Sequence, residues 1–137
     1  MANAGSRSGC VSGSAAAILV NSGNSNAFTG HYRQTSVKEL TGALAGMTGI
    51  PNDRIFTAST GVIGEPLPHD RIIAKLEQLN GDLSASAAEA AARAIMTTDT
   101  FPKGAAAQVQ IDGKPVSIVG IAKGSGMIAP DMATMLV

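Results

Sequence analysis

AAAILV at residues 15–20 runs directly into NSGNSNAFTG at residues 21–30. A short, continuous apolar run predicts a strand that is buried on both faces, as in the layered α/β class of proteins. The segment after it is rich in Asn, Ser and Gly, which tolerate left-handed backbone angles and bond to their own main chain. The sequence therefore predicts a buried strand that ends in a polar loop.

A second strand and a second glycine-containing loop follow. Arg54 to Ala58 alternates in strand fashion and leads into Ser59-Thr60-Gly61-Val62-Ile63-Gly64, which the pattern predicts to be a loop. Between the two strands, Thr35 to Met47 has apolar residues at helical spacing, ended by Gly49 and Pro51. Alternating strands and helices predict an α/β fold with a mixed sheet.

The rest of the chain predicts further helices and a hairpin. One helix starts at Asp70 and stops at Asn80-Gly81, and an alanine-rich helix opens at Ser84. Gln108 to Ile111 and Val116 to Ile121 flank Asp112-Gly113, a two-residue turn signal of β-hairpins. We expect residues 1–14 to be a lead-in without an assigned role and residues 15–137 to form a single α/β unit.

Composition argues against several classes of function. The 137 residues carry ten basic and ten acidic side chains, which cancel, and no Trp, so nothing attracts a polyphosphate backbone and we expect no nucleic-acid partner. The apolar run near the start is far too short to span a bilayer, so we expect no membrane contact. The single cysteine, Cys10, allows neither an internal disulfide nor a cysteine-based metal cage, which fits a cytoplasmic protein.

The residue types leave one catalytic route open. His31 and His69 have no partner at metal-ligand or triad spacing, and the glycine loops match neither a phosphate-binding loop nor a dinucleotide fold. A threonine can run acyl transfer without a triad, because its own freed α-amine can act as the general base for its hydroxyl. The residues alone do not single out Thr134, and Met132 to Leu136 also reads as a buried strand.

The chain resembles the ornithine acetyltransferase family of arginine biosynthesis. The resemblance rests on segments in the family's order: Asn21-Ser22-Gly23-Asn24-Ser25-Asn26-Ala27, Ala58-Ser59-Thr60-Gly61-Val62-Ile63-Gly64, Met96-Thr97-Thr98-Asp99-Thr100 and Lys123-Gly124-Ser125-Gly126-Met127-Ile128-Ala129-Pro130-Asp131-Met132-Ala133-Thr134-Met135-Leu136. The last resembles the family's self-cleavage segment, cut between the Ala and the Thr. The resemblance implies part of an α/β, mixed-sheet fold of the self-processing, N-terminal-nucleophile aminopeptidase-like kind.

The resemblance also implies an enzyme, a glutamate N-acetyltransferase. Thr134 would cut the chain after Ala133, then take an acetyl group from N-acetylornithine and pass it to glutamate. Thr60 and Gly61 match the family's oxyanion hole. Thr97 and Lys123 match positions that contact the substrate, together with Thr134. No metal and no bound organic cofactor is implied, and the sequence leaves open whether acetyl-CoA is also an acetyl donor, which would add amino-acid N-acetyltransferase activity.

Each of these residues also has a plainer reading. Thr60-Gly61 can be an ordinary turn, Lys123 a solvated loop charge, and Thr97 a helix-end hydroxyl bonded to the backbone. Asp99 is read as a loop organiser, because Asx side chains commonly hold turns together. The sequence alone does not decide between these readings.

The family's members are longer, so we expect this chain to be an inactive fragment of the alpha chain that ends just past the cleavage site. The resemblance implies a beta chain from the same precursor and a heterotetramer of two alpha and two beta chains. Other functions stay open: a related self-cleaving aminopeptidase or amidase, or a non-catalytic module that binds a small ligand or docks a partner strand.

Overall fold

The structure, a computed structural model, describes residues 13–125 and 135–137. The elements in chain order are β1 (Ala17–Asn24), α1 (Tyr32–Thr48), a 3-10 turn (Asn52–Arg54), β2 (Ile55–Val62), α2 (His69–Ile73), α3 (Leu76–Gly81), α4 (Ala88–Ala94), β3 (Lys103–Ile111) and β4 (Lys114–Ala122). This alternation confirms the predicted α/β class. Within the described ranges, no helix is both long and apolar enough to cross a bilayer.

β1 and β2 form a parallel pair, and α1 makes the crossover between them. The pairing runs from Ala17 opposite Ile55 to Asn24 opposite Val62. Parallel neighbours need such a long connection, and α1 packs back against β2. The helix ends at Gly49, whose backbone is left-handed (φ 74°) and whose N–H donates to the Ala45 carbonyl, so the predicted glycine stop is confirmed.

Both parallel strands run further than the sequence predicts. Residues 21–24 and 59–62, expected to be loops, pair with each other residue for residue. Asn, Ser and Gly have low strand propensity, but backbone pairing with a neighbouring strand overrides that preference. Thr60 and Gly61 are therefore strand residues, and the reading of this dipeptide as an ordinary turn is wrong.

β1 is not buried on both faces within the described part of the chain. Ile18 is 69% exposed and Val20 39% exposed, so that expectation is wrong. The physical reason is the small sheet, in which β1 has β2 as its neighbour while α1 packs against β2. The continuous apolar run predicted a buried strand, but the described residues do not cover both of its faces.

The predicted helix from Asp70 to Leu79 is divided into α2 and α3. The break lies at Ala74 and Lys75, where Lys75 has φ −106°, well away from the value of about −63° that is typical of an α-helix. The alanine-rich helix begins at Ala88 rather than Ser84. Residues 84–87 form a turn instead, because the Ser84 hydroxyl accepts the Ser86 N–H at 3.2 Å.

β3 and β4 form the predicted antiparallel hairpin around Asp112-Gly113. Both turn residues have positive φ, 50° and 74°, as a type I′ turn requires. The strands are longer than expected, and they pair from Lys103 opposite Ala122 to Ile111 opposite Lys114. The parallel and antiparallel strands thus lie in separate two-stranded sheets rather than in one sheet.

The register of the parallel pair places Gly61 directly against Gly23. Gly61 has φ 128°, and a Cβ built on it would lie 2.3 Å from the carbonyl carbon and oxygen of Gly23. Carbon and backbone atoms do not approach so closely, so any side chain at Gly61 would push the strands apart. The close contact fixes the end of the sheet next to Thr60.

We expect Gly61→Ala to lower the free energy of unfolding by at least about 2 kcal/mol, because it adds a clash and a strained φ. Gly46→Ala is the matched control. Gly46 lies inside α1 with nothing within 4 Å of a built Cβ, so alanine there should raise stability by roughly 0.5–1 kcal/mol. Urea denaturation of both variants measures the difference, and equal midpoints would refute the close contact.

Candidate active site

The expected site residues come from separate elements of the fold. Thr60 lies near the end of β2, Lys123 follows β4 directly, and Thr97 lies in the connection between α4 and β3. The structure brings the segments that carry these residues together. Ala133 and Thr134, the expected cleavage residues, lie outside the described residues.

The ammonium of Lys123 donates to the hydroxyl of Thr60, with Nζ 3.1 Å from Oγ1. Thr60 is 1% exposed and Lys123 is 7% exposed. A lysine is rarely this buried unless partners compensate its charge. The reading of Lys123 as a solvated loop charge is therefore wrong, and the contact joins the end of β2 to the end of β4.

The backbone of Lys123 holds the C-terminal residues of the chain. Its N–H donates to the Leu136 carbonyl at 2.9 Å, and the two residues form an isolated antiparallel bridge. Leu136 lies two positions after Thr134 in the sequence. The chain on the far side of the expected cleavage bond thus lies beside Lys123.

A second set of contacts surrounds the carboxylate of Asp99. Oδ1 accepts from the Lys103 ammonium at 2.6 Å and from the Gly124 N–H at 2.7 Å. Oδ2 accepts from the Thr97 N–H at 3.3 Å. We call these four residues the Asp99 cluster. Asp99 organises the connection between α4 and β3, as predicted, and in addition ties it to the residue after Lys123.

These donors keep the carboxylate ionised. The Lys103 ammonium and the amides of Gly124 and Thr97 hold the pKa of Asp99 well below its usual range, although burial opposes the shift. A lowered pKa means that the carboxylate stabilises the fold above the ordinary pKa of Asp. That contribution is lost as the pH falls through the lower, folded value. The Asp99 carboxylate is therefore charged throughout the neutral range.

Thr97 lies beyond the end of α4, which closes at Ala94, so it is not the last residue of a helix. Its backbone N–H bonds to Asp99. The neighbouring Thr98 hydroxyl lies 2.9 Å from the Ser125 hydroxyl. Together with the Asp99–Gly124 bond, this contact holds residues 97–99 against residues 124–125, next to Lys123.

Two serines near the end of β1, to which the sequence analysis gave no individual role, bond to backbone carbonyls of neighbouring elements. The Ser25 hydroxyl donates to the Val62 carbonyl at 2.7 Å and so closes the end of the parallel pair. The Ser22 hydroxyl donates to the Ala94 carbonyl at 2.6 Å, which attaches α4 to β1. Side chains of the polar segment after residue 20 thus connect β1 to β2 and to α4 by hydrogen bonds.

His69 has a partner that its sequence position does not reveal. Its Nδ1 lies 3.2 Å from the buried Ser36 hydroxyl and 3.3 Å from the Leu67 carbonyl, and Nε2 lies 3.8 Å from Asp70. The Asp70 side chain is 95% exposed. A triad needs the carboxylate on Nδ1 and an accessible serine on Nε2, so this is a structural link between α1 and α2.

Other potential sites are sparse in the described ranges, 13–125 and 135–137. They contain no group of three or more His, Cys, Asp or Glu side chains placed to hold a metal ion. A groove of about 420 Å³ lies between α4 and the hairpin, lined mostly by Ala, Gly and other apolar residues. Neither Thr60 nor Lys123 lines it, so the groove is separate from the site.

Known proteins of arginine biosynthesis are similar to this chain. It is 71% identical over 129 residues to the arginine biosynthesis bifunctional protein ArgJ of Ruegeria pomeroyi, a match that covers 94% of the chain. It is 56% identical over 122 residues to the protein of that name from Gluconobacter oxydans, with 89% of the chain covered. The chain spans 32% and 29% of these two relatives, about a third of their length.

Solved structures share the fold. The crystal structure of the arginine biosynthesis bifunctional protein argJ from Bacillus halodurans matches with a TM-score of 0.79 at 35% identity, covering 96% of this chain and 68% of that one. The ornithine acetyltransferase of Mycobacterium tuberculosis, in complex with ornithine, matches with a TM-score of 0.74 at 28% identity, covering 96% and 69%. The predicted ornithine acetyltransferase fold is confirmed in part of its length.

The family model described as the ArgJ family matches residues 5–137. That match includes the segments on which the predicted resemblance rests. With the identities of the relatives and the shared fold, it confirms the family: this chain belongs to the ArgJ family.

Proposed function

We propose that this chain forms part of an enzyme that moves an acetyl group from N-acetylornithine to glutamate through an acetyl-threonine at Thr134. The names of its relatives support this, since they are bifunctional proteins of arginine biosynthesis and an ornithine acetyltransferase in complex with ornithine. The observation that carries the proposal is the buried contact between Lys123 and Thr60.

The contact suits the chemistry because acyl transfer develops negative charge on a carbonyl oxygen. Donors that are already fixed in a buried site stabilise that charge more than water does, and they need no reorganisation during the reaction. In the proposal, Thr60 and Gly61 form the oxyanion hole. Lys123 approaches the substrate carboxylate or the developing oxyanion, and Thr97 contacts the substrate.

Chain connectivity supports the proposed place of Thr134. Leu136 is bonded to the backbone of Lys123. Two residues of extended chain span at most about 7 Å, so Thr134 is tethered close to Leu136. Such a tether is what the proposal requires of a nucleophile that acts near the Lys123–Thr60 contact.

The first proposed step is self-cleavage. The Thr134 hydroxyl oxygen attacks the carbonyl carbon of Ala133, the bond from that carbon to the Thr134 nitrogen breaks, and the hydroxyl proton passes to that nitrogen, which gives an ester and a free α-amine. Water then hydrolyses the ester, which leaves a carboxylate on Ala133 and restores the Thr134 hydroxyl. An α-amine has an ordinary pKa of about 7.7–8.0, which suits a proton carrier at neutral pH.

The second step is transfer. The same hydroxyl, deprotonated by the amine, attacks the acetyl carbonyl of N-acetylornithine, and ornithine leaves with the proton. The amino group of glutamate then attacks the acetyl ester and regenerates Thr134. The proposal includes no metal and no bound organic cofactor. The proposal further includes acetyl-CoA as a second acetyl donor. It also includes assembly of two alpha and two beta chains into a heterotetramer in the cytoplasm.

A chimera tests the role of Thr134. Replacing the matching 129-residue segment of the Ruegeria pomeroyi relative by this sequence should give a protein that cuts itself after Ala133 and transfers acetyl groups. Thr134→Ala should leave an uncut, inactive precursor. Thr134→Ser keeps the attacking oxygen but loses the β-methyl that restricts its rotamer, so it should cut slowly and retain some activity.

Mass spectrometry reads the cleavage, and conversion of N-acetylornithine reads the transfer. Thr35→Ala is the matched control, because Thr35 is an exposed residue of α1 and should leave both reactions unchanged. Cleavage between residues 133 and 134 in the Thr134→Ala chimera would refute self-processing by this hydroxyl. Acetate release that is unaffected by glutamate would favour a hydrolase over a transferase.

A second prediction concerns Lys123. Lys123→Met keeps an unbranched side chain one atom shorter but removes the ammonium, so kcat/KM for acetyl transfer by the chimera should fall by about 10²–10³-fold. Lys114→Met, at the exposed start of β4, removes a lysine from the hairpin and should leave the rate unchanged. Equal rates for the two variants would remove Lys123 from the proposed site.

A further inference from the structure

The carboxylate of Asp99 is the point at which three segments near the site meet. The first segment is the connection after α4, represented by Thr97. The second is the start of β3, at Lys103, and the third is the chain after β4, at Gly124. The Asp99 side chain is 1% exposed. These contacts reach the Lys123–Thr60 pair through the Gly124 amide, which belongs to the peptide unit after Lys123.

The hairpin explains why two donors share one oxygen. Lys103 pairs with Ala122 at the open end of the hairpin, so the Lys103 side chain and the chain after Ala122 leave the sheet side by side. Oδ1 accepts from both, at 2.6 Å from the Lys103 ammonium and 2.7 Å from the Gly124 N–H. Charge-assisted hydrogen bonds of this length are roughly twice as strong as neutral ones.

The bond to Gly124 bears on Lys123 because the Gly124 nitrogen is covalently attached to the Lys123 carbonyl carbon. Fixing that peptide unit fixes the backbone from which the Lys123 side chain extends. Its ammonium then reaches the Thr60 hydroxyl at 3.1 Å. A displacement of about 1 Å in a catalytic group can cost on the order of 10²-fold in rate.

We propose that Asp99 is a positioning residue for acetyl transfer, whose carboxylate holds the Gly124 amide and thereby sets the Lys123 ammonium against Thr60. This proposal rests on the proposed function. It assigns Asp99 no contact with substrate. The carboxylate is essential to it, because its two oxygens together accept from Lys103, Gly124 and Thr97. A neutral amide offers one acceptor oxygen to these three donors, and its bonds to them are weaker because the negative charge is gone.

Asp99→Asn in the chimera tests the proposal. The fold should survive, because the Lys103 side chain is 33% exposed and its ammonium also lies 4.6 Å from the centre of the Phe101 ring. We expect kcat for acetyl transfer to fall on the order of 10²-fold. If the precursor accumulates uncut, its first-order cleavage rate is measured in place of kcat and should show the same loss.

A double-mutant cycle separates positioning from a general structural role. If Asp99 acts through Lys123, the Asp99→Asn, Lys123→Met double variant should match Lys123→Met alone within about threefold, since the group being positioned is already gone. A general structural role would instead multiply the two losses. Glu89→Gln is the control: it makes the same carboxylate-to-amide change in the exposed pair with Arg93 and should leave the rate unchanged.

The outcomes are distinct. Multiplied losses, an unchanged rate in Asp99→Asn, or an Asp99→Asn chimera without a cooperative melt would each overturn the positioning role while leaving the proposed function intact. A wild-type chimera that neither cuts itself nor transfers acetyl groups would refute the proposed function, and this role with it.

Discussion

The contact between Gly61 and Gly23 is the constraint on which the site depends. With a built Cβ only 2.3 Å from the neighbouring backbone, the two strands approach as closely as glycine allows. That approach carries the parallel pairing to Asn24 and Val62. Thr60 is therefore a strand residue paired with Ser22, and its hydroxyl is buried where Lys123 can reach it. A looser turn at these residues would place the hydroxyl less accurately.

Burying the ammonium of Lys123 removes its hydration at a cost of several kcal/mol, which its contacts in the site have to offset. In a buried site of low dielectric constant, this charge acts on a nearby oxygen with little screening, so its electrostatic effect on that oxygen is strong. The Asp99 cluster lies at the adjacent peptide unit. Its paired charges hold that backbone in place, and the stability that they add depends on the Asp99 carboxylate remaining ionised.

The sequence pattern predicted correctly those features that depend on residues close together in the chain. The strand–helix alternation, the Gly49 stop and the Asp112-Gly113 turn each depend on neighbours in the chain, and each is confirmed. The polar strand ends were missed, because pairing across the sheet overrode their propensity. No local signal could join Lys123 to Thr60, 63 residues apart. The family resemblance named both, but it did not reveal the link from Asp99 to Gly124, 25 residues away.

The proposed cleavage and the proposed transfer ask the site for the same thing. In each, the Thr134 oxygen adds to a carbonyl carbon, of Ala133 in one case and of an acetyl group in the other, and the carbonyl oxygen becomes an oxyanion. Donors preorganised for one oxyanion therefore serve the other, provided that they lie on rigid elements. The Lys123–Thr60 contact meets that condition, because it joins the ends of β2 and β4. Between the two proposed steps, the acyl group that the hydroxyl attacks changes, and the α-amine that deprotonates the hydroxyl becomes free.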